Sequence, residues 1–215
     1  MQPEDSDNQG GAEFIAKIAA SAAHELNNCL AVLGEQGGLV ADLAWMMQNG
    51  RPLDPARLAA VAEGVKRHVA RAGEVTASLS ALAHTLDTPR ESATLTCLAE
   101  LCGALFARFA ARAKVRLDVS ADAGSTACFD GDHFALCRLL FACLEEAVAR
   151  QPDGGEASLV AAADEGGFSF VVRIEGGAFP ADFAEGPEIA GLCRGLQFLV
   201  GVTEAGKALK ITPVK

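Results

Sequence analysis

The sequence predicts an α+β protein in which a long antiparallel helical hairpin is followed by an α/β sandwich. Three observations support this prediction. Apolar residues recur at helical spacing through two long segments early in the chain, a short polar turn separates these segments, and the second half alternates between strand-like and helical stretches. With 215 residues, of which 50% are hydrophobic, the chain is long enough for one large domain or two small ones.

The first helix follows a short polar start. Residues 1–10 are polar and acidic, and we expect them to form a disordered leader. From Gly11 to Asn49 apolar residues recur every three or four positions, which predicts one long helix. Asn49-Gly50, followed by Arg51 and a proline, ends it.

The second helix begins directly after the turn. Asp54 is a suitable N-cap, Pro55 suits the first helical position, and the apolar pattern runs to about Leu86. Residues 11–88 therefore form a hairpin of two helices, each about 45–55 Å long. A lone hairpin cannot bury both apolar stripes, so packing predicts a homodimer with a four-helix bundle.

Residues 89–215 are predicted to form the second domain, with helices packed on one face of a mixed sheet. Helices are predicted over 93–112, 132–150 and 187–202, and strands over 114–120, 157–163, 168–174 and 208–214. The turn-forming residues 164–167 between the two middle strands indicate a β-hairpin.

Composition excludes several classes of function. The net charge is −10, and the 18 basic residues form no run, which argues against nucleic-acid binding. No apolar stretch reaches ~18 residues, and the first residues do not resemble a signal peptide, so we expect a cytoplasmic protein without membrane contact. The seven cysteines include no C-x-x-C pair and do not combine with the four histidines at zinc-ligand spacing. They are expected to be buried thiols in a reducing compartment.

The candidate chemistry lies in the first helix, where residues 23–30 read A-H-E-L-N-N-C-L. The imidazole of His24 is a suitable nucleophile near neutral pH. Glu25 can hold or accept the proton of one ring nitrogen, and Asn28, one turn further on, shares a face with His24. These three residues are the predicted catalytic residues. A zinc-protease motif is excluded because it would need a histidine where Asn28 stands.

The pattern H-E-x-x-N resembles the phosphoacceptor motif of sensor histidine kinases, in which a Pro-Leu pair usually follows. Here Cys29 replaces the proline. The resemblance implies a dimerisation and phosphoacceptor hairpin, followed by a domain similar to the ATP-binding domain of these kinases. It also implies that His24 is phosphorylated and that Asn28 is linked to dephosphorylation of a partner response regulator. Without the resemblance, His24 is an ordinary surface histidine and the two asparagines are a register device.

The resemblance further implies three nucleotide-binding segments, and the sequence departs from each. Ala142 and Glu146 stand where the family has asparagines, and a carboxylate at Glu146 would repel a triphosphate. Residues 175–179, Glu-Gly-Gly-Ala-Phe, replace the Asp-x-Gly-x-Gly turn, so that the bulky Phe179 stands at the second glycine. The later glycine segment, 191–196, matches only loosely. The lid between them is reduced to a few residues near 183–187.

A phosphoacceptor hairpin beside a degenerate nucleotide site resembles the ChpT-type histidine phosphotransferases of bacterial phosphorelays. This implies that His24 passes phosphoryl groups between the aspartates of response-regulator receiver domains without ATP. No cofactor is expected, since the receiver domain supplies its own Mg²⁺. Receivers would dock below His24, on Cys29, Gly34, Gly37 and Gly38. For the glycines, tight packing inside the dimer is an equal alternative.

Two other functions remain open at this stage. One is an ATP-dependent sensor histidine kinase core with an atypical nucleotide pocket. The other is a non-catalytic adaptor or phosphatase that uses the bundle only to bind a receiver domain.

Overall fold

The structure is a computed structural model that describes residues 3–87, 91–121, 127–164 and 167–214. In chain order, its helices are α1 (Pro3–Gln48), α2 (Pro55–Asp87), α3 (Leu95–Arg112), α4 (His133–Ala149) and α5 (Pro187–Leu196). Its strands are β1 (Ala93–Thr94), β2 (Arg116–Ala121), β3 (Cys128–Phe129), β4 (Glu156–Asp164), β5 (Gly167–Ile174), β6 (Phe198–Thr203) and β7 (Ala208–Pro213). Helices and a mixed sheet coexist, so the predicted α+β fold class is confirmed.

The chain divides into two units by the density of its contacts. One unit comprises Lys17–Leu79, and the other comprises Met1–Ala16 together with Ser80–Lys215. The predicted boundary between the domains, at residues 88 and 89, falls outside the described residues.

The unit Lys17–Leu79 is an antiparallel helical hairpin. Its turn has the predicted chemistry, because Gly50 adopts a φ of 73° and the Asp54 side chain accepts a hydrogen bond from the backbone N–H of Ala56 at 2.9 Å. Between the helices lies a seam of buried residues, spaced by 4, 7 and 14 positions on α1 and by 3 and 11 on α2, which keeps them on one face of each helix. It comprises Ile18, Ala22, Cys29 and Leu43 from α1 and Val61, Gly64 and Val75 from α2.

Helix α1 begins at Pro3 rather than at Gly11, so residues 3–10 are helical where a disordered leader was predicted. At the end of this segment, α1 packs closely on α4. A Cβ atom on Gly10 would stand 2.5 Å from the Arg138 guanidinium, and one on Gly11 would stand 3.4 Å from the Phe134 ring. The two glycines therefore let this turn of α1 lie close against α4.

The other unit contains a five-stranded sheet in the order β2-β4-β5-β7-β6. Strands β2 and β4 are parallel, and the remaining neighbours are antiparallel. On β4, β5 and β7, fully buried residues alternate with more exposed ones, as expected when helices cover one face. The buried set is Leu159, Ala161, Phe170, Val172, Leu209 and Ile211. Strands β1 and β3 form a separate antiparallel pair, which the sequence did not predict.

The helix predicted over 187–202 is wrong in its last third. Helix α5 ends at Leu196, where Gln197 adopts the left-handed conformation with φ 57° and ψ 49°, and β6 follows. The residues of β6 pair along their whole length with β7, so strand pairing overrides the apolar periodicity that suggested a longer helix. The turn predicted at residues 164–167 joins β4 and β5, but residues 165 and 166 fall outside the described ranges.

The cysteines only partly follow their prediction. Cys29, Cys102, Cys137 and Cys143 are buried, Cys193 is half-buried, and Cys97 and Cys128 are exposed. Burial raises the pKa of Cys137 to about 12, with a further contribution from the charge of Asp132. Burial also raises the pKa values of Cys102 and Cys143 well above the ordinary thiol range.

Candidate functional site

His24 lies on α1 within the hairpin unit, and its side chain is exposed to solvent. Its position follows from helical geometry. Ala22 and Cys29 belong to the buried seam, and His24 lies on the opposite side of the helix. Asn28, four residues further along, is also exposed and shares the face of His24. The structure therefore presents an imidazole and an amide together on one solvent-facing side of the hairpin.

Glu25 points in another direction, because adjacent helical residues diverge by about 100° around the axis. Its Oε1 atom accepts a hydrogen bond from Arg71 Nε of helix α2 at 2.6 Å, an ion pair between residues 46 apart in the chain. Arg71 Nη1 also donates to Glu74 Oε2 at 2.9 Å. Burial lowers the pKa of Arg71, but the hydrogen bonds to Glu25 and Glu74 outweigh it and raise the pKa overall. Arg71 thus stays charged and binds the residue that follows the candidate nucleophile.

The four residues predicted to dock a receiver fall into two groups. Cys29 is only 3% exposed in the single chain, so its side chain is covered there, and its role in docking stays a prediction. The helical periodicity places its side chain in the hairpin seam. Gly34, Gly37 and Gly38 are exposed, and apart from the adjoining residues and backbone of their own helix, no heavy atom of the described residues lies within 4 Å of the place a Cβ atom would take. These three positions present bare backbone.

A second stripe on α1 is apolar and mostly exposed in the single chain, with Leu26 and Leu33 half-buried. It recurs at alternating spacings of four and three, which is a heptad pattern. Its members are Leu26, Leu30, Leu33, Gly37, Val40, Ala44 and Met47. Leu30 is 63% exposed and Met47 is 55% exposed, whereas a heptad stripe normally packs against another helix. On α2, Leu58 and Val69 belong to a similar stripe and are 40% and 54% exposed.

In the other unit, the loop over residues 175–179 is held closely by its own chain. Lys207 Nζ donates to the carbonyl oxygens of Glu175 at 3.0 Å and of Gly177 at 2.6 Å. The backbone N–H of Phe179 donates to the carbonyl of Gly206 at 2.8 Å, and the Phe179 side chain is only 4% exposed. The loop is therefore closed around a buried phenylalanine.

The start of the same loop packs on the end of α4. Gly176 donates its N–H to Gln151 Oε1 at 3.0 Å, and a Cβ atom there would stand 2.7 Å from Pro152 Cδ. At the end of α4, the C-cap residue Arg150 binds Glu146 Oε1 through Nε at 2.7 Å and through Nη2 at 2.5 Å. The Glu146 carboxylate, at a position where the resembling kinases carry an asparagine, is thus engaged by an arginine one turn away.

Of the residues that hold these sites, Arg71 is one that the sequence offers only as a cation that either offsets the acidic first helix or is simply solvated. Counting equal distances from the turn at Gly50 would pair Glu25 with position 75, so it reaches its partner Arg71 only to within about one helical turn. Lys207 carried no signal, because its role depends on the folded path of a distant loop. Within the described ranges, no three His, Cys, Asp or Glu side chains are placed to hold a metal ion. Over those same ranges, no helix has the length and hydropathy needed to cross a bilayer.

No family model and no curated protein matches the chain. Solved structures do. The chain is similar to the catalytic domain of the histidine kinase ThkA, with a TM-score of 0.49 and 11% identity over 58% of this chain and 96% of that one. It is similar to the Acinetobacter baumannii histidine kinase AdeS, with a TM-score of 0.43 and 14% identity over 88% of this chain and 95% of that one. For a bacterial phosphotransferase, the TM-score is 0.51 and the identity 10%, over 93% of this chain and 95% of that one. The chain shares the fold of that phosphotransferase along most of both lengths.

Proposed function

We propose that this chain is a cytoplasmic histidine phosphotransfer protein of the ChpT type. It passes phosphoryl groups between the aspartates of response-regulator receiver domains in a two-component phosphorelay. The observation that supports this most directly is the exposed imidazole of His24, which shares a helix face with Asn28 and precedes a carboxylate bound by an arginine. A partner protein can reach such an imidazole from solvent.

The transfer itself needs little chemistry from the protein. The unprotonated ring nitrogen of His24 attacks the phosphorus of the receiver's aspartyl phosphate. The bond from phosphorus to the aspartate oxygen breaks, and the aspartate leaves as a carboxylate. Glu25 holds or accepts the proton of the other ring nitrogen, and Asn28 orients the phosphoryl oxygens. The reverse sequence passes the group to a second receiver. Because both phosphorylated species have high transfer potential, the contribution of the hairpin is alignment.

The second unit is proposed to act without ATP. The residues at the expected nucleotide site do not suit a nucleotide. Phe179 is buried where the resembling kinases have a glycine, and Lys207 engages the carbonyl groups of the same loop. Glu146 is engaged by Arg150. The proposed transfer therefore involves no ATP, and Mg²⁺ would arrive with the receiver domain.

The exposed heptad stripes support a homodimer. In a single chain, Leu30, Val40 and Val69 are all at least 45% exposed, although they recur at the spacing of a helical seam. A second copy of the hairpin would bury both stripes in a four-helix bundle. Gly37 lies in the stripe on α1, where a bare backbone permits close approach of a partner helix.

The experiment is transfer from receiver domains that carry labelled phosphate on their aspartate. Wild-type protein is expected to acquire acid-labile label, and His24→Gln is expected to acquire none. Retained label in His24→Gln would overturn the assignment of His24. Absence of label on wild-type protein, with receivers that bind it, would instead favour the adaptor or phosphatase function.

A parallel incubation uses labelled ATP and Mg²⁺ without any receiver. We expect no label on His24, because the proposed phosphoryl donor is the aspartyl phosphate of a receiver domain and not ATP. Label on wild-type protein that His24→Gln abolishes would show an autokinase and would overturn the ATP-independent part of the proposal.

A further inference from the structure

The ion pair between Glu25 and Arg71 lies directly beside the residue proposed to carry the phosphoryl group. Arg71 reaches from α2 to α1 and holds Glu25 Oε1 at 2.6 Å. Its own helix holds the guanidinium from the other side, because Nη1 donates to Glu74 Oε2 at 2.9 Å. A planar guanidinium bound at two edges has little rotational freedom.

We propose that Arg71 is a positioning residue of the phosphoacceptor site, which fixes the Glu25 carboxylate across the hairpin and thereby holds the rotation of the α1 turn that carries His24. This inference rests on the proposed phosphotransfer function. Arg71 acts through Glu25 and does not itself touch the reacting atoms.

The surroundings of the pair support a positioning role. On α1, Glu25 lies between the buried residues Ala22 and Cys29, and on α2 the buried Val75 lies one turn beyond Arg71. Apolar side chains pack without directional preference, so they permit small rotations of one helix against the other. A charge-assisted hydrogen bond of 2.6 Å is directional and fixes the rotation of α1 at this turn.

The Glu25 carboxylate can also accept further hydrogen bonds besides the one from Arg71. An ionised carboxylate has two oxygens with about four acceptor sites, and Arg71 occupies one of these oxygens. The remaining capacity allows Glu25 to serve the imidazole proton while Arg71 holds it in place. Exposure of the Glu25 side chain is 21%, against 42% for Arg71, so the pair is only partly screened by water.

The test compares Arg71→Met and Arg71→Lys with wild type in single-turnover transfer from a phosphorylated receiver. Methionine keeps an aliphatic stem and removes the charge. Lysine keeps a positive charge but lacks the planar guanidinium group with its several N–H donors. A misplacement of about 1 Å can cost roughly a hundredfold in rate. We therefore expect the saturating rate to fall about ten- to a hundredfold in Arg71→Met and by less in Arg71→Lys. The receiver concentration that gives half the maximal rate should stay unchanged.

Chemical rescue distinguishes positioning from a general loss of structure. Arg71 is 42% exposed, so a small cation can reach its place once the side chain is shortened. Millimolar guanidinium chloride, far below denaturing concentrations, should accelerate Arg71→Met, and an equal concentration of sodium chloride should not. Circular dichroism and thermal unfolding verify that each variant is folded at the assay temperature. If Arg71→Met is unfolded there, the transfer rate of Arg71→Lys tests the proposal instead.

The matched control is Lys66→Met, which removes the exposed ion pair between Lys66 and Glu63 on the same helix. It should transfer at the wild-type rate. The proposal is overturned if folded Arg71→Met keeps the wild-type saturating rate, or if only its half-saturating concentration rises, since that would assign Arg71 to docking. Failure of wild-type protein to accept any phosphate would sink the proposed function instead, so the two failures are distinguishable.

Discussion

Phe14 and Phe141 meet edge to face, with ring centroids 5.2 Å apart and ring planes at 73°. Phe14 belongs to the first helix of the chain, whereas Phe141 is the central residue of α4, more than a hundred positions later. Phe14 also contacts Phe134 at 5.6 Å, and Phe141 contacts Phe106 at 4.9 Å and Phe109 at 5.1 Å. The beginning of α1 is therefore part of the core of the second unit.

The first prediction concerns this aromatic cluster. Phe14→Ala should destabilise the unit formed by residues 1–16 and 80–215 by about 3–5 kcal/mol, because it removes a buried ring and leaves a cavity. Urea unfolding, monitored by circular dichroism, measures the loss. The control is Ile15→Ala, since Ile15 is 39% exposed and should cost far less. Equal losses in the two variants would contradict the structural role of Phe14.

The second prediction separates the two polar residues of the phosphoacceptor face. Asn28→Ala should still acquire phosphate from a receiver, because the nucleophile is His24, but its amide no longer orients phosphoryl oxygens or water. We expect the transfer rate to fall by about tenfold or less and the receiver to keep its aspartyl phosphate longer when the two are mixed. The half-life of the receiver phosphate, measured with labelled phosphate, tests this. Asn27→Ala on the neighbouring exposed position is the control. An unchanged half-life in Asn28→Ala would remove that residue from the site.

The third prediction concerns assembly. Val40 is 45% exposed in the single chain and lies on the heptad stripe of α1. Val40→Glu would bury a charge at the proposed seam, so the dimer should weaken by at least about 3 kcal/mol, which is more than a hundredfold in dissociation constant. Sedimentation analysis over a range of concentrations measures the change. Ala70→Glu places the same charge on an exposed position of α2 away from both stripes and should leave the mass unchanged. A wild-type protein that is monomeric at all concentrations would refute the dimer.

The fourth prediction concerns alkaline stability. The folded pKa of Cys137 is about 12, because burial disfavours the thiolate, whereas an unfolded thiol titrates near about 8.5. A raised folded pKa means that this stabilisation is fully present below pH ~8.5 and is lost as the pH rises towards 12. The free energy of unfolding should therefore fall between these values by up to about 1.4 kcal/mol per pH unit for each such thiol.

Denaturant unfolding at a series of pH values measures this slope. Cys137→Ala should be less stable at neutral pH, because it leaves a cavity, but its alkaline slope should be shallower. Cys97→Ala, at an exposed position, should keep the wild-type slope. Identical slopes in wild type and Cys137→Ala would show that the buried thiol does not govern alkaline stability.

Several features could be predicted from the chemistry of neighbouring residues in the sequence. Asn49-Gly50 and Asp54-Pro55 specify where one helix ends and the next begins, and the structure follows them. Helical periodicity likewise places His24 on the side away from the buried seam. The same periodicity puts Cys29 inside the hairpin, although the resemblance to a phosphoacceptor motif suggested a docking role for it.

Contacts between distant segments decided the rest. Gly10 and Gly11 let the start of α1 lie against α4, and the end of α5 at Leu196 depends on pairing between β6 and β7. Neither contact can be predicted from a short stretch of neighbouring residues. By itself, the sequence determined where the helices end and begin at the hairpin turn and which exposed face carries His24, because caps and periodicity act over a few residues. Only the tertiary structure decided that Arg71 holds Glu25 and that Lys207 closes the loop around Phe179, because these contacts join groups that folding alone brings together.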